Sequence, residues 1–200
     1  MTSEQIGRVA IVTGASRGIG LAVARRIVAD GGRVIMTARK EDALRAAAAT
    51  LGGDDVALPV PGKADDPDHQ AAAVAEALSR FGRIDMLVNN TGINPVYGPL
   101  VEMDLAAARK IVEVNCLAAI SWATQVHRAW MGEHGGAIVN MSSVAGMRPA
   151  PGIGFYGASK AMLSHITSEL AVELAPMVRV NAVAPAVVRT DFATALFEGR

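Results

Sequence analysis

Short runs of β-branched and other apolar residues alternate along this chain with longer, alanine-rich stretches, and that alternation restricts the fold more than any other feature. The runs are Arg8–Thr13, Arg33–Thr37, Val56–Val60, Ile84–Asn89, Ala137–Met141 and Val178–Val183. Helical spacing covers Ile19–Asp30, Glu41–Leu51, Asp68–Phe81, Leu105–Met131 and Ala158–Leu174. Strands that are apolar nearly throughout are buried on both faces, which calls for a parallel sheet with helices on each side. Pro59 makes the third run the weakest strand, because proline limits ladder hydrogen bonds. The stretches Thr91–Asp104 and Ser142–Gly157 read as loops, and both follow strand carboxyl ends.

Right-handed crossovers between such strands give an α/β fold, a doubly wound sheet of the Rossmann type that takes its ligand at the carboxyl ends of its strands. No repeat, low-complexity tract or linker interrupts the 200 residues, so 1–200 reads as one domain. Lys+Arg and Asp+Glu are both 19, a balance that gives no reason to expect nucleic acid or an anionic membrane as partner. The lone cysteine, Cys116, excludes an intrachain disulfide. Residues Met1–Gly7 lack a signal pattern and no apolar run is long enough to span a bilayer. The expectation is a soluble, cytoplasmic protein with no metal site.

Thr13-Gly14-Ala15-Ser16-Arg17-Gly18-Ile19-Gly20 lies between the first strand and the first helix. Gly14 permits a tight turn, Gly18 lets the backbone approach a pyrophosphate, and Gly20 permits close packing of helix on strand. The helix amino end then presents N–H groups to the anion. Gly14, Ser16, Arg17, Gly18, Ile19 and Gly20 are therefore candidate cofactor contacts.

Tyr156 and Lys160 are four residues apart, a spacing that puts them on one face of a helix. A phenol keeps its proton to about pH 10 in water, and a neighbouring ammonium would bring that value toward working pH. Tyr156 could then give a proton to a carbonyl oxygen or take one from an alcohol.

These motifs resemble the short-chain dehydrogenase/reductase family, whose glycine loop has the spacing T-G-x-x-x-G-x-G found here. The resemblance implies a serine thirteen residues before the tyrosine that hydrogen-bonds the reacting oxygen; Ser143 fits that spacing, with Ser142 as its rival. It implies that Asn115 supports a water relay to Lys160, although a polar residue amid apolar ones also fits a purely structural role. Cys116 reads as a small core residue. Asn89-Asn90-Thr91-Gly92 resembles the family's N-N-A-G segment on the adenosine side, with Thr91 in place of alanine. Asn90 and Gly92 are its candidate contacts. After the sixth strand, Pro185 would lie against the nicotinamide, with Val188 and Thr190 on its carboxamide. Ala186 stands where the family usually has glycine, a costly exchange if φ is positive there.

Ala38 occupies the position where the family's NAD enzymes carry an aspartate, and Arg39 follows it. With Arg17, it offers two guanidinium groups to a 2′-phosphate, so the expected cofactor is NADP(H). Lys63-Ala64 replaces the usual Asp-Val beside adenine, leaving a backbone contact at Ala64.

The resemblance is strongest to 3-oxoacyl-[acyl-carrier-protein] reductases of fatty-acid biosynthesis, implying a carbonyl substrate on acyl carrier protein or coenzyme A and a homodimer or homotetramer. The segment His127–His134 is only mildly basic for docking an acidic carrier. Relative to the family the chain is expected to lack its C-terminal strand and a substrate-covering segment, leaving the sixth strand as an edge. A nucleotide-binding protein without turnover and a dehydrogenase acting on another alcohol or ketone remain alternatives.

Overall fold

In a computed structural model that describes residues 7–190, six parallel strands form one sheet in the order β3-β2-β1-β4-β5-β6. They are β1 (Val9–Thr13), β2 (Arg33–Ala38), β3 (Ala57–Pro61), β4 (Met86–Asn89), β5 (Gly136–Met141) and β6 (Val178–Val183). The doubly wound parallel fold expected from the sequence is what the chain adopts. Chain order reverses between β1 and β4, so the ligand crevice of such a sheet lies at their carboxyl ends.

Side chains alternate across each strand, which divides the core into two layers. Ala10, Val12, Val34 and Met36 pack on one face against α1 (Gly18–Ala29) and α2 (Glu41–Ala49). Ile11, Ile35, Leu87 and Ile138 face the other way, against α3 (Pro67–Phe81) and α5 (Ala118–Val126). Trp122 of α5 is among the largest fully buried side chains of this second layer. Cys116 is a buried thiol beside Leu163, as its reading as a core residue required.

Several boundaries differ from the sequence reading. The third strand keeps its prolines because, among the described residues, β3 is an edge paired only with β2. The helix α3 starts at Pro67 because the Asp66 carboxylate accepts the Asp68 N–H at 3.0 Å and caps it. The long helical region is not uniform. Its segments α4 (Leu105–Val112), α5 and α6 (Gly132–His134) are joined by π-turns at Glu113–Leu117 and His127–Met131. The helix that carries the Tyr156 motif, α7 (Gly154–Glu173), begins four residues before Ala158. The loops also contain 3₁₀ turns, at Leu100–Glu102 and Val144–Gly146, and are tied together by the Gly98 N–H donating to Gly152 O at 3.0 Å.

Among the described residues β6 pairs with β5 alone. No described helix is long and apolar enough to cross a membrane, and no described cluster of His, Cys, Asp or Glu could hold a metal.

Candidate active site

The glycine loop leaves the carboxyl end of β1 and enters α1. Gly14 and Gly18 have φ of 65° and 57°, left-handed values that cost a residue with a Cβ about 1–2 kcal/mol. At Gly20 the limit is space, since a Cβ would lie 2.5 Å from Gly14 O and 2.6 Å from Asn90 Nδ2. Asn90 fixes the loop from the side of β4. Its Nδ2 donates to Thr13 O at 2.9 Å and to Gly14 O at 3.2 Å. The backbone N–H groups of Asn90 and Thr91 both donate to Thr13 Oγ1. Asn90, read as a cofactor contact, thus spends its side chain on shaping the loop.

The N-cap residue Arg17 makes no side-chain cap hydrogen bond to α1, and no acidic residue occupies its first turn. Its N–H groups face the crevice beside Ser16, Arg17, Gly18 and Ile19, which fits a dinucleotide pyrophosphate. Arg39 is exposed just past the end of β2, neighbouring β1, so Arg17 and Arg39 follow adjacent strand ends. Ala64 is buried, and its carbonyl accepts Gln70 Nε2 at 2.7 Å and Trp122 Nε1 at 3.0 Å. A ligand contact at Ala64 therefore falls to its N–H. The segment after β6 returns across the crevice. Pro185 O accepts the Val144 N–H at 3.1 Å, Val188 is exposed, and the Thr190 methyl lies 3.4 Å from where a Cβ on Gly18 would stand. No described residue other than glycine has a positive φ. The strain expected at Ala186 is therefore absent.

At the carboxyl end of β5 the two candidate serines separate. Ser142 is buried; its Oγ donates to Lys160 O at 3.0 Å and shares a 2.7 Å hydrogen bond with Ser164 Oγ. It anchors the strand to α7. Ser143 caps the turn Val144–Gly146, accepting the Ala145 N–H at 3.2 Å, and its hydroxyl is near enough to Tyr156 to draw the phenol's pKa down. Ser143, not Ser142, is therefore the serine that stands beside the Tyr156 phenol.

Lys160 is 3% exposed, with Nζ donating to Met141 O at 2.7 Å and standing 5.7 Å from the centre of the Tyr156 ring. Burial drops its pKa to about 8. The Cys116 thiol cannot hold Lys160 charged, because burial pushes that thiol up and keeps it neutral. The expected lowering of Tyr156 is not found. Burial raises the phenol, the nearby Ser143 hydroxyl pulls it back, and the charge of Tyr97 raises it further. Burial is the largest influence on the phenol, while the ammonium donates to Met141 O.

Asn115 lies in the first π-turn and is 1% exposed. Its Oδ1 accepts the Ile93 N–H at 2.8 Å; its Nδ2 donates to Ile93 O at 3.1 Å and to Ser159 Oγ at 3.0 Å. Both amide protons are used, so its side chain joins the β4 loop to α7. Any relay water would have to bind the remaining lone pair of Oδ1 or the main chain. Ser159, which the sequence reading passed over, completes the link by donating to Tyr156 O at 2.7 Å. Gly92 faces this group, since a Cβ there would stand 3.2 Å from Lys160 Nζ and 3.5 Å from Asn115 Oδ1.

A cavity of about 100 Å³ opens in front of Tyr156, lined also by Asn94, Tyr97, Leu100, Glu102 and Ile153. A shallower groove of about 850 Å³ continues past Leu100 and Gly152 along Met147–Pro151. The segment His127–His134 takes no part, because it precedes the amino end of β5, roughly 20 Å of strand from Ser143. There Trp130 and His134 stack with ring centres 3.7 Å apart.

The short chain dehydrogenase family model matches residues 8–200. Dehydrogenase/reductase SDR family member 4 from Sus scrofa is 36% identical over 195 residues, covering 95% of this chain and 69% of that protein. The protein of the same name from Caenorhabditis elegans is 36% identical over 196 residues, covering 96% and 75%. Among solved structures, a short-chain dehydrogenase/reductase named glucose/ribitol dehydrogenase from Brucella melitensis superposes with a TM-score of 0.91 at 32% identity, covering 98% of this chain and 78% of that one. An NAD+-bound xylitol dehydrogenase superposes with a TM-score of 0.86 at 29% identity, covering 92% and 71%. None of these is named for 3-oxoacyl carrier-protein reduction, so that narrower resemblance does not extend to them. On sequence and fold together, the chain belongs to the short-chain dehydrogenase family.

Proposed function

We propose that this oxidoreductase reduces a ketone with NADPH, and that a 3-oxoacyl thioester is the first substrate to try. One observation carries the reading: the Tyr156 phenol stands at a cavity wall with the Ser143 hydroxyl near enough to lower its pKa and the Lys160 ammonium buried behind it. The residues of the glycine loop would hold the dinucleotide, which when bound would supply the hydride for the substrate carbon. Ser143 donates to the carbonyl oxygen and orients it. Tyr156, held protonated at neutral pH by burial, gives that oxygen its proton. Lys160, charged below about pH 8, steadies the phenolate left behind. Asn115 and Ser159 hold the Tyr156 turn in place.

For the cofactor, Ala38 leaves no carboxylate at the end of β2, and Arg17 and Arg39 offer forked hydrogen bonds to a 2′-phosphate. Fluorescence titration of NADPH and NADH, repeated on Arg39→Ala, tests this. NADPH binding should fall about tenfold while NADH binding stays within about twofold; equal losses would remove the 2′-phosphate contact. A polyol dehydrogenase is the second reading, favoured by the names of the two superposed structures and by the polar side chains Asn94, Tyr97 and Glu102 in the cavity. Assays with NADP+ and a pentitol, beside NADPH and acetoacetyl thioester, separate the two. A homodimer suits either reading, with exposed Leu105 and Leu117 on the long helix as part of its face.

A further inference from the structure

We infer that Tyr97 is a specificity-determining residue that hydrogen-bonds a second, uncharged oxygen of the substrate, so that the site prefers neutral 3-oxo esters and thioesters to simple ketones and to 3-oxo acids. The inference deepens the ketone-reductase reading and rests on it.

Two phenols line the same small cavity. Tyr156, with the Ser143 hydroxyl beside it, is the acid of the proposed reduction. Tyr97 has no such role. It sits on the loop between β4 and the turn Leu100–Glu102, half exposed at the cavity mouth. That loop is held to the start of α7 by the bond from Gly98 N–H to Gly152 O, so the two phenols belong to one braced wall. They are close enough that charge on Tyr97 raises Tyr156.

The remaining polar side chains narrow the choice of substrate. A phenol can donate to a carbonyl oxygen, as can the Asn94 amide, whereas the Glu102 carboxylate only accepts. A second carbonyl therefore belongs on the Tyr97 side of the cavity. A substrate carboxylate would meet Glu102 charge to charge, which disfavours free 3-oxo acids. The cavity and the adjoining groove share Pro99, Leu100 and Gly152, which leaves an apolar path for the rest of an ester or thioester.

The test compares ethyl acetoacetate with 2-heptanone, a ketone of the same chain length without the second carbonyl, on wild type and Tyr97→Phe. The ratio of kcat/KM values for the two compounds should fall roughly threefold to tenfold in the variant, the loss of one neutral hydrogen bond. An unchanged ratio overturns the inference. On Glu102→Gln, acetoacetate should gain on ethyl acetoacetate by at least threefold; no gain overturns the exclusion of acids. If wild type reduces neither ketone, the proposed function fails. Isothermal titration of both ketones against the NADP+-loaded protein then still tests Tyr97: weaker binding of ethyl acetoacetate alone to Tyr97→Phe supports the contact, and equal affinities remove it.

Discussion

Asn115 and Ser159 are joined by a 3.0 Å hydrogen bond that ties the π-turn of the long helix to the helix bearing Tyr156 and Lys160. Both side chains are buried, and Ser159 passes the link on to the Tyr156 carbonyl at 2.7 Å. Ser159→Ala strips Asn115 Nδ2 of one acceptor inside the protein. The expected outcome is a loss of about 1–2 kcal/mol in stability, with kcat reduced and NADPH affinity retained. Urea denaturation and steady-state kinetics check it; unchanged values for both would mean that the bond positions nothing.

Gly92 offers a separate handle on Lys160. Its φ is not in the left-handed region, so alanine there strains no backbone. The added Cβ would stand 3.2 Å from Lys160 Nζ and press on the ammonium. Gly92→Ala should lower kcat by about tenfold, since misplacing a reacting group by a fraction of an ångström is costly, while the melting temperature changes little. A variant with wild-type kcat would show that the position of Nζ is unimportant.

Lys160 makes stability depend on pH. Its folded pKa of about 8 lies below the ordinary 10.5, so the unfolded chain binds more protons between those values. The penalty from this group is complete below about pH 8 and is relieved as pH rises toward 10.5. Lys160→Met removes that dependence. Between pH 7 and about 9.5, wild type should gain about 2 kcal/mol relative to the variant in denaturant unfolding. A constant difference across that range would contradict the burial of a charged lysine.

The fold was legible because the central strands β1, β2 and β4 are apolar nearly throughout, a pattern that calls for a parallel sheet covered on both faces. The pairing of Tyr156 with Lys160 was legible because the two are one helical turn apart in sequence. What escaped notice was non-local. The Gly154-Phe155-Tyr156-Gly157 stretch reads as a loop, yet it is the first turn of α7. Gly157 is there because a Cβ would stand 2.5 Å from Ala145 O. Ser159 looks like one more serine until Asn115 arrives across 44 residues of chain. The direction of the Tyr156 shift is not legible in sequence because spacing shows that Lys160 is near but not how deeply the phenol is buried. Tyr97 and Glu102 belong to no motif, and only the cavity brings them to Tyr156.

The most direct measurement of the central claim is NADPH oxidation by Tyr156→Phe with a ketone that wild type reduces, paired with fluorescence titration of NADPH. The account predicts turnover lower by at least a thousandfold with NADPH affinity within about twofold, since the variant keeps the ring and loses only the proton. Turnover near the wild-type rate would contradict the role of Tyr156 as the acid.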